Sequence, residues 1–144
     1  MYLEDESITQ ILMDIGLISR VDLAQAKEQA QVAGKSVVQI LLEAGRLTEM
    51  DVTKALASQF GLDVVDLNEY KIPQDVLALM SRDVARQWKV LPIFKRGNQL
   101  TVAIANPLDM EAIDKLGGSL SLTIQPVVSC LSDIGAALNR YYGR

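Results

Sequence analysis

The sequence predicts an α+β fold with two parts. Residues 1–62 read as a four-helix subdomain made of two repeated helical hairpins, and residues 63–144 as a small mixed α/β subdomain with a three- or four-stranded sheet. Two observations carry this. The first part repeats itself, with apolar residues at helical spacing. The second part holds alternating apolar runs joined by a glycine-containing turn.

The repeat has a period of 29 residues, from Gly16 to Gly45. Ile8, Ile11, Leu12 and Ile15 trace one helix face; Val37, Ile40, Leu41 and Ala44 trace its counterpart. Gly16 and Gly45 stop these short helices, because glycine enters the left-handed conformation without a Cβ penalty. Ser19 and Thr48 are N-caps, and Asp22 and Asp51 follow three residues later as an acidic capping box. The second helices then span 20–33 and 49–60. Leu23, Ala26 and Ala30 mark the buried face of one; Val52, Ala55, Leu56 and Gln59 mark the other. Gly34-Lys35-Ser36 resembles the end of a phosphate-binding loop, but Gln29 stands where that motif needs glycine, and a helix precedes it. Gly34 therefore reads as a helix terminator.

After Gly61 the pattern changes. Residues 64–67 read as a short strand. Pro73 opens a helix that buries Val76, Leu77 and Met80, and Ser81 caps another over 81–87. Residues 90–94 and 100–105 form a hairpin around a turn at 96–99, with Pro92 marking an edge or a bulge. Asn106-Pro107-Leu108-Asp109 then caps a helix over 109–117, ended by Gly117 and Gly118. A strand over 120–128 and a helix from Ser132 to Tyr142 complete the chain. Trp88 is expected in the core, Tyr141 and Tyr142 on the surface, and residues 1–6 as a loose tail.

Composition excludes several functions. The chain is 49% hydrophobic and 22% charged, a globular balance. It has no histidine and one cysteine, Cys130, which removes imidazole bases, thiolate zinc sites and an internal disulfide. Ser–His and Cys–His nucleophiles cannot be built, so this chain is expected not to be an enzyme. Its only support for catalysis is an abundance of carboxylates, such as Asp63 and Asp66, which read as solvated. Residues 1–66 carry eleven acids and five bases (−6), and residues 67–144 seven acids and nine bases (+2). Neither part is a basic patch, so nucleic acid is not an expected partner. The N-terminus lacks the bases of a signal peptide, no stretch suggests membrane insertion, and the cytoplasm is the expected compartment.

Several motifs together resemble the N-terminal domain of type II secretion and type IV pilus assembly ATPases. They are the double repeat through Gly16-Leu17-Ile18-Ser19 and Gly45-Arg46-Leu47-Thr48, the run Gln59-Phe60-Gly61-Leu62, Ala105-Asn106-Pro107-Leu108-Asp109, and Leu138-Asn139-Arg140-Tyr141-Tyr142. The resemblance implies a non-catalytic docking or regulatory module. It would bind the cytoplasmic part of an inner-membrane secretion or pilus platform protein, with an ATPase domain downstream. Some members bind cyclic di-GMP through the repeats, with Arg-Leu-Gly at each opening and Gln at each close. On that pattern the ligand positions here are Ser7, Ile8, Thr9 and Leu12, then Ser36, Val37, Val38 and Leu41, with Gln59 and the turn residue Asp109. Both arginines and both glycines are replaced. Serine can neither stack on a base nor pair with phosphate as arginine does, and Thr9 and Val38 add branched bulk where glycine would admit a ligand. These losses favour protein docking over nucleotide sensing.

Overall fold

The computed structural model describes residues 5–107 and 110–143. The chain divides into two compact units, residues 1–59 and 60–144.

Unit 1 is helical: α1 (Asp5–Asp14), α2 (Arg20–Ala33), α3 (Val37–Glu43) and α4 (Glu49–Phe60). Ile8, Leu12, Val38, Leu41, Val52 and Leu56 are its most deeply buried large side chains. Each such burial contributes about 1.5–3 kcal/mol. α4 buries Val52, Thr53, Ala55, Leu56 and Ala57, whereas α2 buries only Ala26 and Ala30. Ile15 lies past the end of α1 and is 49% exposed, contrary to its expected place on the apolar face. Helical phase no longer applies once the chain has turned. Ala44 is likewise exposed, as the C-cap of α3.

Unit 2 is a three-stranded sheet in the order β1-β2-β3, with β1 at Val90–Arg96, β2 at Gln99–Ile104 and β3 at Thr123–Val128. β1 and β2 are antiparallel around Gly97, whose φ of 61° at the first turn position fits a type II′ turn. β2 and β3 are parallel. α5 (Gln74–Leu77), α6 (Arg82–Trp88), α7 (Met110–Leu120) and α8 (Leu131–Tyr142) accompany the sheet. Leu91, Ile93, Leu100, Val102, Ile134 and Leu138 form the centre of its core. Pro92 lies both on an edge strand and beside a bulge between Pro92 and Phe94, so both readings of that proline hold together.

Four expectations need correction. Residues 64–67 make only an isolated bridge, Val64 to Val128, before a 3-10 turn at Leu67–Glu69; the sheet has three strands. Gly117 and Gly118 lie inside α7, which ends at Leu120 with Ser121 in the left-handed region. A Cβ at Gly117 would stand 3.0 Å from the Leu122 carbonyl oxygen, so glycine there serves the close approach of β3 and does not terminate the helix. Trp88 is 36% exposed at the end of α6. The tyrosine pair is pinned into unit 2: Tyr142 Oη donates to the Leu77 carbonyl at 2.9 Å and lies 3.2 Å from that of Met80. Tyr141 Oη donates to the Tyr70 carbonyl at 3.2 Å. Arg86 Nη2 reaches Asn139 Oδ1 at 2.9 Å and the Gly143 carbonyl, securing the last turn of α8 to α6.

Burial pushes the Tyr142 hydroxyl up to about 12. An unfolded chain releases the same proton near pH 10, so it deprotonates first as pH rises. Stability from this group is therefore intact below about pH 10 and is lost as pH climbs through about 12. Tyr142→Phe removes the donor and should lower stability by about 1 kcal/mol at neutral pH. It should also flatten the alkaline limb of the stability profile, measured by denaturant unfolding. An unchanged alkaline limb would contradict the pinned geometry.

Candidate functional site

The candidate site lies in unit 1, at the openings of α1 and α3. The two repeats match bond for bond where each short helix turns into the long one. Gly16 N donates to the Met13 carbonyl and Leu17 N to that of Leu12, both at 3.0 Å. Gly45 N donates to Leu42 at 3.2 Å and Arg46 N to Leu41 at 3.1 Å. These are Schellman closures, and they require the positive φ of Gly16 (82°) and Gly45 (73°). Asp22 N then donates to Ser19 Oγ and Ser19 N to Asp22 Oδ2, both at 3.1 Å. Asp51 N and Thr48 N make the same exchange at 3.1 and 3.0 Å. The caps and glycines read from sequence at these two turns are present.

The openings themselves differ. Ser36 is the N-cap of α3, its Oγ accepting from Gln39 N at 3.1 Å. Its counterpart Ser7 lies inside α1, which begins at Asp5, and is exposed. Thr9 and Val38 are equivalent and both are buried, at 5% and 0% exposure. The Thr9 hydroxyl donates to the Glu6 carbonyl at 3.0 Å, which satisfies the one polar group brought inside. Ile8, Leu12 and Leu41 are core residues and Val37 is half-buried. Gln59, expected on the buried face of α4, is exposed. Asp109 lies outside the described residues. Five of the ten candidate ligand positions thus point their side chains into the core.

Charge at the openings does not favour a phosphate. α1 contains no base, and Glu6 stands exposed in its first turn. Beside α3, Lys35 Nζ is held by both oxygens of Glu43, at 2.7 and 3.0 Å, and that bond keeps the Glu43 carboxyl below its usual range. Arg46 meets Asp22 at 3.3 Å. The Asp22 carboxyl is held low chiefly by the Ser19 backbone N–H and hydroxyl, with Arg46 adding less. The sequence reading missed these ion pairs, because partners eight and twenty-four residues apart follow no helical spacing. It also missed an exposed apolar turn formed by Ile15, Leu17 (40%) and Val21 (64%). The same positions in the second repeat are Ala44, Arg46 and Met50. Gly34, at φ 69°, closes α2 and is no part of a phosphate loop.

A family model described as the MshEN domain matches residues 60–144, which is more than half of the chain. The chain belongs to the MshEN domain family. This is the N-terminal domain of type II secretion and type IV pilus ATPases. The type IV pilus assembly ATPase PilB of Myxococcus xanthus is 29% identical over 133 residues, 92% of this chain and 24% of its own length. PilB of Thermus thermophilus is 27% identical over 140 residues, 96% of this chain and 16% of its own. The chain therefore spans a quarter or less of these relatives. A structure of MshE with cdg superposes with a TM-score of 0.79 at 26% identity, covering 94% of this chain and 98% of that one. The N-terminal domain of XpsE superposes at 0.73 and 25% identity, covering 99% of each. Among the described residues of this MshEN domain, no helix is long and apolar enough to cross a membrane and no cluster of metal-ligating side chains occurs.

The matched closures give a direct prediction. Gly16→Ala and Gly45→Ala should each cost about 1–2 kcal/mol, because each forces an L-residue into the left-handed region although neither meets a neighbouring atom. Thermal unfolding of the two variants should show similar losses. A negligible effect at either glycine would mean that the repeats do not share this closure.

Proposed function

We propose that this chain is a non-catalytic docking domain of a type II secretion or type IV pilus assembly ATPase. Its partner would be the cytoplasmic part of an inner-membrane platform protein, which keeps the domain in the cytoplasm beside the membrane. The observation that carries this reading is the exposed apolar turn of the first repeat, Ile15, Leu17 and Val21. The second repeat supplies an internal control. It folds the same turn with Arg46 in place of Leu17, so the fold itself does not demand an exposed leucine there. Exposed apolar groups that stability does not require are suited to a partner.

A second reading, cyclic di-GMP sensing, is favoured by the similarity to the structure of MshE with cdg. Against it stand the buried Thr9 and Val38 at the openings and the engagement of Lys35 by Glu43. A dianionic ligand would meet neither a free guanidinium nor an open backbone there.

Leu17→Arg copies the residue that the second repeat already tolerates, so the fold should persist. Binding to an immobilised platform-protein cytoplasmic segment should weaken by about tenfold or more, equivalent to about 1.4 kcal/mol. Unchanged affinity would place the docking face elsewhere. Failure of the unaltered chain to bind any platform segment would defeat the docking reading.

A further inference from the structure

Unit 2 leaves one end of one sheet face uncovered. By the pairing register, Phe94, Thr101 and Gln125 form a row across the three strands. Arg96, Gln99 and Thr123 form the next row toward the hairpin turn. On the other side of Phe94 the row of Leu91, Ala103 and Val127 is buried, so the core covers this face only that far. Phe94 is 51% exposed. Gln99 Nε2 donates to Gln125 Oε1 at 3.2 Å and fixes the polar side of the patch. Lys95 leaves the same edge strand on the opposite face and is also exposed. Among the described residues, no carboxylate is paired with Lys95 or Arg96. The sheet does not need this arrangement. An edge strand is better protected by polar side chains than by a half-exposed phenylalanine.

The same sequence carries a segment of complementary chemistry. Tyr2 and Leu3 precede Glu4, Asp5 and Glu6, two apolar side chains followed by three carboxylates. Asp5 begins α1 and Glu6 is exposed. We propose that residues 2–6 of a second copy of this chain dock on the open sheet end, the apolar pair against Phe94 and the carboxylates facing Arg96. The giving and receiving surfaces differ, so the contact is heterologous and can pass from copy to copy. Its charged component steers association and weakens with salt.

Sedimentation velocity on the full chain, from micromolar to millimolar at low salt, tests this. The average mass should rise with concentration and fall back on adding salt. A peptide of residues 1–7, titrated into dilute chain, should shift the amide signals of Phe94, Arg96, Thr101 and Gln125. Arg96→Glu should weaken both effects about tenfold or more. Adding Glu4→Lys and Glu6→Lys to a chain carrying Arg96→Glu should restore self-association. A chain that stays monomeric at every concentration overturns the proposal. So does a peptide that leaves those four signals in place, a readout on unaltered protein that needs no variant to fold.

Discussion

A left-handed glycine followed three residues later by a reciprocal hydroxyl–carboxylate cap governs unit 1. The glycine lets the chain reverse within a few residues while the last carbonyls of the short helix stay bonded. The cap then supplies acceptors for the first N–H groups of the long helix. Because Gly16–Asp22 and Gly45–Asp51 repeat this bond for bond, the two turns share a backbone and differ in what they display. Thr9 faces Val38 in that comparison, Leu17 faces Arg46, and Val21 faces Met50. Function has to be sought in those differences.

Unit 2 follows a different constraint, the management of two sheet edges. β1 carries Pro92 beside its bulge. On β3, Val128 bonds outward to the backbone of Asp63 and Val65, and Pro126, two residues back along the same edge, offers no N–H. Both edges are thereby poor templates for another strand. The helical side is fixed by hydroxyl and guanidinium bonds onto backbone carbonyls, with Tyr141, Tyr142 and Arg86 converging on the end of α8. The family match falls on this unit, whereas the repeats, which hold nine of the ten candidate ligand positions, belong to unit 1.

Much of this was legible in the sequence because its signals are local. Glycine, Ser or Thr, and Asp at fixed offsets located α2 and α4 to the residue, and Gly97 located the hairpin turn. What failed depended on tertiary contact. Whether Gly117 ends a helix or lets a strand approach it depends on where Leu122 lies. Tyr141 and Tyr142 look like surface anchors until Tyr70, Leu77 and Met80 offer carbonyls 62 to 71 residues away. Residues 64–67 have strand composition, yet only one residue finds a free length of β3 to pair with. For the candidate site, position was legible and exposure was not. Helical spacing had set Ile8, Leu12 and Leu41 on apolar faces, but it could not tell that Thr9 and Val38 are committed to the core as well.

That commitment bears on function. A nucleotide-binding opening needs backbone that a ligand can approach and cations to meet its phosphates. Here branched side chains fill the openings, and Lys35 is held by Glu43. What the first repeat leaves exposed is apolar, which suits a protein surface better than an anion. Calorimetric titration of the unaltered chain with cyclic di-GMP, carried to millimolar ligand, tests this most directly. The account predicts only heats of dilution; a saturable heat with one defined stoichiometry would contradict it.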